Sequence, residues 1–488
     1  MLARSLAGGS GLAVAFWVAI HAFSLTAWGA YGGGSGTPED PYQVLTAGQL
    51  NAIGAQPQDW DKHFKLMADI DLSGYRGTEF NRIGTPDEGP FTGTFDGNYR
   101  TVSNFQWLSE WTRYLGLFGF VEGDQARIMN VTLIAPSVAI EIGQYVGALA
   151  GFLRDGTIVN CHVRRGTISG DNCVGALVGK REGGTITDCT ANATVRGASR
   201  VGGLVGFSYW GLTDRCDVAG EVIGYSDSEC WAAGGLIGEC QEGIVTNCHA
   251  GGTVEGRRDV GGLIGLNATV DVRRCWADGM VSGEEDVGGL IGRNDGGIIS
   301  DCYSLANTAG GVLVGGLIGL HGPSCTCTVG VPGLIERCYA AGPVMGASGF
   351  GALVAVNEKS HITDSFWDME ATRCESSGGG SAKTTEQMQS LSTYTGAGWD
   401  FAAEKQNGTD DIWCPPAPRS YPRLAWQGVM NDLDGDGNVN FRDFAILARQ
   451  WRRIDNGFWS RGAFMAADGA IDFDDLDALT QTWLTGGK

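Results

Sequence analysis

The sequence predicts a mainly β protein: a parallel β-helix, or solenoid, of roughly 27-residue, three-strand coils, followed by a small α-helical calcium-binding domain. Three observations predict it. A glycine-rich hexapeptide recurs at near-constant spacing, a cysteine keeps step with it, and a 12-residue acidic loop near the C-terminus runs into an amphipathic helix.

The composition is consistent with many short strands joined by tight turns. Of 488 residues, 79 are glycine and only 13 proline, with no Gly-X-Y period, which excludes collagen; 43% hydrophobic residues exclude a disordered linker. A net charge of −21 argues against nucleic acid as a partner, because phosphate binding needs a basic face.

In chain order, Arg4 precedes an apolar stretch from Leu12 to Leu25, with small residues at Ala27, Gly29 and Ala30. Residues 1–29 therefore read as a signal peptide, the alternative being an uncleaved anchor. No later stretch reaches the ~20 apolar residues of a spanning helix, so any membrane contact is expected through this segment alone. Export to the medium or the cell surface is the expectation. Residues 36–110 read as an N-terminal cap with the first coils. Within them, Thr46 to Ile53 is expected to form a short amphipathic helix and Phe64 to Ile70 a first strand. A cap matters because an open sheet edge recruits other chains.

The repeats occupy residues 111–368. Hexapeptides begin at Val146, Val174, Val201, Ala233, Val260, Val287, Val314 and Phe350, spaced 28, 27, 32, 27, 27, 27 and 36 residues apart. Cys161, Cys189, Cys216, Cys248, Cys275 and Cys302 each lie 15 residues after their hexapeptide starts; Cys338 lies 24 after Val314, which places an insertion around His321 to Gly333. Insertions at changing corners, with strand spacing preserved, are how stacked coils behave. Strands are expected around Val287–Gly292, Ile298–Tyr303 and Thr308–Val314. The glycines are expected to turn the backbone at positive φ and to let coils approach closely.

Equivalent positions should form columns. The cysteines read as an inward ladder of small apolar side chains, with Ser365 in the matching place of the last coil. The preceding position, Asn160, Asp188, Arg215, Asn247, Arg274, Asp301 and Arg337, reads as an outward column in which opposite charges of adjacent coils pair. The following position carries His249, Trp276, Tyr303, Tyr339 and Phe366. Trp276, Tyr303 and Tyr339 are candidate sugar-binding rings, against the alternative that rings ~4.8 Å apart stack on one another. Residues 369–429 read as a C-terminal cap and linker, with Cys374 and Cys414 free or paired.

Residues 432–443, DLDGDGNVNFRD, carry the most specific chemistry. Calcium prefers six to eight oxygen ligands. Asp432, Asp434 and Asp436 converge at alternate positions, Gly437 permits the sharp turn, and Asn438, Asn440 and Asp443 complete the shell. A second copy about 32 residues later has Asp468, Asp472 and Asp475 at matching positions, but Phe464 and Ala466 replace its first two ligands. Weak or no calcium is expected there.

The hexapeptides resemble the GLUG motif of bacterial surface and secreted proteins. The flanks agree: GTPEDPYQVLTAGQLNAIG at 36–54, PFTGTFDGNYRTVSNF at 90–105, SFWD at 365–368 and YPRLAW at 421–426. Some larger proteins with this motif are metallopeptidases acting on immunoglobulin A, but this chain has no HExxH. The two loop–helix units at 430–486 resemble a type I dockerin. That resemblance implies calcium as the cofactor and a cohesin-like module as a partner, while the degenerate second loop departs from the family pattern. The combined expectation is a non-catalytic extracellular structural or interaction protein tethered through calcium, with a polysaccharide or other surface ligand as a further partner. The alternative is a secreted polysaccharide lyase or glycoside hydrolase.

Overall fold

Each coil wraps its apolar residues inward and lays its strands in parallel on those of the next. The computed structural model describes residues 30–225, 231–322, 333–358, 360–402 and 406–427. The segment expected to be a signal peptide, Cys325 and Cys327 of the insertion, and both loops expected to bind calcium lie outside the described residues.

The coil that begins at Val287 shows the plan. Strand Met280–Gly288 ends inside the hexapeptide, Gly289 and Leu290 turn the corner, and Ile291–Asn294 starts the next face. Ile298–Ser300 and Tyr303–Ser304 form a bent third face, and Asn307–Gly315 returns to the starting edge. The register equals the repeat: Val260 lies beside Val287 and Val287 beside Val314, while Ile264, Ile291 and Ile318 follow suit. Nine such second-face strands, from Phe118–Glu122 to Val354–Asn357, make one parallel sheet. Val287, Leu290, Ile291, Ile299 and Cys302 are fully buried, and their equivalents extend the core along the axis.

Two expectations need correction. The hexapeptide is not one strand but straddles a corner, so the strand expected over Val287–Gly292 is two. The strand expected over Ile298–Tyr303 is likewise broken at Asp301. The second break falls at a left-handed residue, whereas the corner at Gly289 and Leu290 is turned without one. Left-handed φ falls on a fixed position before each hexapeptide (Tyr145, Cys173, Arg200, Ala232, Asp259, Asp286, Leu313). It also falls on the residue before each ladder cysteine (Asn160, Asp188, Arg215, Asn247, Arg274, Asp301, Arg337). Such φ is uncommon outside glycine. Here the parallel ladders on either side of each corner hold it. The hexapeptide glycines serve close approach instead: a Cβ on Gly288 would lie 1.9 Å from the Ile291 carbonyl oxygen, and one on Gly292 2.4 Å from the Val260 nitrogen.

The N-terminal cap follows the sequence closely. Helix Ala47–Gly54 starts at Thr46, whose side chain accepts from the Gln49 N–H, and buries Leu50 and Ile53. The strand expected over Phe64–Ile70 is split into His63–Leu66 and Ile70–Asp71, because the Asp69 carboxylate, rather than a strand carbonyl, accepts from the Thr101 N–H. At the far end, Ser381–Lys383 adds a strand beside Phe366–Asp368. The chain then turns back along the side of the solenoid: Tyr339 donates to the Pro422 carbonyl (2.8 Å), Trp413 to Asp301 (3.2 Å) and Trp426 to the Arg274 carbonyl (2.8 Å).

Candidate functional site

The cysteine ladder is an inward column, as expected, and it also carries hydrogen bonds. All seven ladder thiols are buried and free. Each donates to the carbonyl two residues earlier, across the left-handed residue, as Cys302 does to Ser300 at 3.1 Å. Cys275 Sγ in turn accepts from the Cys248 N–H of the neighbouring coil at 3.4 Å. Ser365 reproduces both contacts, donating to Thr363 (2.8 Å) and accepting from the Cys338 N–H (3.1 Å). Cys374 and Cys414 are free thiols.

Two of the three opposite-charge neighbours in the column before the ladder pair, while no ion pair joins Arg274 to Asp301. Arg215 grips Asp188 with two bonds of 2.7 and 2.9 Å, and Arg337 grips Asp301 at 2.8 and 3.0 Å. The column after the ladder is a continuous stack. His249 lies 3.8 Å from Trp276, Trp276 5.4 Å from Tyr303, and Tyr303 4.8 Å from Tyr339 with planes 2° apart. The sugar-binding expectation for Trp276, Tyr303 and Tyr339 is corrected on this point: both faces of Trp276 and of Tyr303 are covered within the stack, and Tyr303 and Tyr339 are buried beneath Trp399, Trp413 and Tyr421. Burial pushes both tyrosine hydroxyls well above their ordinary range. Burial also opposes charge on His249, but the Asp217 and Asp278 carboxylates on its two nitrogens (3.0 and 3.2 Å) outweigh it and raise the imidazole to about 9.

Two further columns had a legible signal, the fixed count from each hexapeptide, and escaped the sequence reading. The residue directly after the hexapeptide forms an outer aromatic–cation strip: Phe120 stacks on Phe152 at 5.2 Å, and Lys180 lies 5.3 Å from Phe152 and 5.6 Å from Phe207. The next residue points inward and is polar: Arg181, Ser208, Cys240, Asn267, Asn294 and His321 are all buried. Asn267 donates to Asn294 at 2.6 Å, and Asn294 meets His321 Nδ1 at 2.9 Å. Arg181 is fully buried; its guanidinium donates to Ser208 Oγ and, at 2.6 Å, to the Leu212 carbonyl, and burial lowers its pKa.

Two places bring carboxyls of adjacent coils together. Asp259 and Asp286 share the left-handed position before Val260 and Val287; they are 2% and 1% exposed. Around them, Arg258 binds Glu285 at 2.9 Å and Arg293 binds Asp295 at 2.9 Å. Burial raises the Asp259 carboxyl to about 7, with Arg293 pulling against it and Asp286 pushing further; Asp286 is raised as well, chiefly by burial. Such perturbed groups mark candidate chemistry, yet neither carboxyl is open to a substrate where it lies. The second place is accessible. A shallow groove of about 740 Å³ is lined by Leu108, Ser109, Glu110, Ile140, Glu141 and Tyr225. There Ser109 pairs with Ile140 and Trp111 with Ile142, so Glu110 and Glu141 occupy matching positions in neighbouring coils.

Among the described residues, no group of three or more His, Cys, Asp or Glu side chains is placed to hold a metal, and no helix is long and apolar enough to cross a membrane. The expected calcium ligands Asp432, Asp434, Asp436, Asn438, Asn440, Asp443, Asp468, Asp472 and Asp475 lie outside them.

The coil plan and its columns define a parallel β-solenoid. Its repeats are of the GLUG type: residues 170–196 and 283–309 match the family model described as the GLUG motif. Halomucin of Haloquadratum walsbyi is 36% identical over 158 residues, 30% of this chain and 2% of that protein. A provisionally named Gly-rich membrane protein of Evansella cellulosilytica is 32% identical over 195 residues, 38% of this chain and 22% of that protein. The chain thus spans less than a quarter of either relative. A crystal structure provisionally named an immunoglobulin A1 protease, from Bacteroides ovatus, is similar over 81% of this chain and 96% of that one, at 19% identity and a TM-score of 0.42. A likeness at that level carries no argument about activity.

Proposed function

We propose that this chain is a non-catalytic structural or interaction protein of the cell surface or the medium, whose solenoid presents an extended surface and whose C-terminal segment tethers it through calcium. One observation supports the first part above the others: most of the ladder-flanking polar and aromatic groups are spent on one another. Asp188 pairs with Arg215 and Asp301 with Arg337, the rings stack, and the chain's own C-terminal segment covers the rings. A surface protein is also the sense of the names its relatives carry, halomucin and a Gly-rich membrane protein.

The tether rests on residues 432–443, whose alternating carboxylates suit a calcium shell, and on the resemblance of 430–486 to a dockerin, for which a cohesin-like module is the matching partner. Calcium calorimetry on the full chain, on Asp432→Ala and on Asp436→Ala tests it. Binding heat in the parent that both variants lose supports the tether. Absence of heat in the parent removes calcium and the dockerin from the proposal.

A second reading, a polysaccharide lyase or glycoside hydrolase, is favoured by the groove in which Glu110 and Glu141 face the same space from adjacent coils. Paired carboxylates flanking one groove can serve acid–base or nucleophilic work on a glycosidic bond. Release of reducing ends or unsaturated products from a polysaccharide panel, lost in both Glu110→Gln and Glu141→Gln, would select the enzyme. Retention of a polysaccharide without product selects the binding protein.

A further inference from the structure

Asp259 and Asp286 are a buried carboxyl pair whose contacts with one another need a proton. Both sit at the left-handed corner before a hexapeptide, one coil apart, with Arg258 beside Glu285 and Val260 beside Val287 in register. Their neighbours pair directly, so the two carboxyls lie opposite one another on adjacent strands; both are buried, and no donor from another residue reaches Oδ1 of either. Two ionised carboxylates so placed cannot satisfy one another, since each only accepts, whereas one proton between them supplies the missing donor.

The surroundings do not remove the need. On the same strand, Arg257 is engaged by Glu284 at 3.0 Å and Arg258 by Glu285 at 2.9 Å, with Arg258 Nε 3.8 Å from Asp286. On the adjoining face Arg293 is held by Asp295 at 2.9 Å. One coil back, Glu239 on that face is taken by Arg200. Each of these cations binds a carboxylate outside the pair, and Arg258 reaches Asp286 only as a 3.8 Å ion pair on Oδ2, without a hydrogen bond.

We propose that Asp259 and Asp286 share a single proton that fastens two neighbouring coils, and that loss of this proton loosens the corner they form. Proton loss leaves two like charges at the ~4.8 Å spacing of stacked strands, in a place water does not reach. The corner is then a pH-sensitive joint in an otherwise uniform stack. The linkage has a definite sign. A carboxyl raised in the fold contributes stability that is complete below its unfolded value and is lost as pH rises through the folded value.

Infrared difference spectroscopy of the full chain tests the proposal directly, through the C=O stretch of a protonated carboxyl. Between about pH 5 and pH 9 the parent should lose one such band, and amide exchange of the peptide spanning residues 280–288, corrected for intrinsic rates, should rise at least tenfold. Asp259→Asn keeps a donor facing Asp286 without an ionisable proton, so it should lack the band and its exchange should stay flat. Asp286→Asn leaves Asp259 free to ionise with an amide donor, so its band should vanish at a lower pH. A band that persists unchanged in Asp259→Asn, or no protonated carboxyl in the parent at about pH 5, overturns the proposal. The parent titration decides the matter even where a variant fails to fold.

Discussion

Replacing Gly288 by alanine is a sharp test of what the hexapeptide glycines do. Gly288 does not adopt a left-handed φ, so conformational freedom gives no reason to forbid alanine there. Space does: the new Cβ would sit 1.9 Å from the Ile291 oxygen and 2.8 Å from the Gly319 nitrogen of the next coil. The corner must open, and the bonds that tie it to its neighbours must stretch. Those are Gly262 N–H to the Gly288 carbonyl (3.2 Å), Gly289 to Gly315 (3.1 Å), Leu290 to Leu317 (2.9 Å) and Ile291 to Leu317 (3.0 Å). At ~1 kcal/mol net for each buried backbone bond, the local cost is about 4 kcal/mol. The control is Gly48→Ala in the cap helix, where the nearest atom is 4.0 Å from the new Cβ and removing a helical glycine should stabilise by ~0.5–1 kcal/mol. Because a stack of coils need not unfold in one step, amide exchange resolved by peptide is the right assay. Gly288→Ala should speed exchange several hundred-fold in the coils on either side of residue 288 and leave the N-terminal cap unchanged. Equal tolerance of the two substitutions would refute the close-approach account.

Other outcomes follow from the columns. His249 has a folded pKa of about 9 against 6.5 unfolded. Its contribution, up to about 3 kcal/mol at 1.36 kcal/mol per pH unit, is complete below pH 6.5 and disappears as pH rises through 9; thermal melts of the parent and His249→Gln across that window should converge at the alkaline end. Arg181→Met should raise the melting temperature, because a fully buried guanidinium with no carboxylate among its described partners costs more than the bonds to Ser208 and Leu212 return; a lower melting temperature would refute this. Trp413→Ala empties a fully buried site between Tyr303, Tyr339 and Trp399, at ~3–5 kcal/mol. Limited proteolysis should then cut within residues 385–427 while the coils stay intact.

The coil was legible because a repeat of fixed length is a ruler, and every column is a count along it. The partners Asp188–Arg215 and Asp301–Arg337 came directly from that count. What the count lacks is phase. VGGLIG reads equally well as a single buried strand, and only the approach of Gly288 to Ile291 shows the corner inside it. Residue type gave no warning, since arginine, tyrosine and leucine hold positive φ here as well as aspartate and asparagine. The aromatic stack was visible as an alternative, but its cover was not: contacts such as Trp426 with Arg274 join residues 152 apart with no periodic relation between them.

The inward polar column shows why these coils, though alike, are not interchangeable. A buried polar side chain must be matched by its neighbours above and below, and the matches here are particular: Arg181 to Ser208, Asn267 to Asn294, Asn294 to His321. An asparagine carries both a donor and an acceptor, so an asparagine coil repeats upon itself without loss. A coil carrying Arg181 does not, because its copy would bring a second buried cation to within one strand spacing of the first. The same reasoning applies to the carboxyl corner, where a single proton suffices for two coils but not for three. Apolar positions therefore set the shape of the solenoid, and the few polar ones inside it set the order in which its coils are stacked.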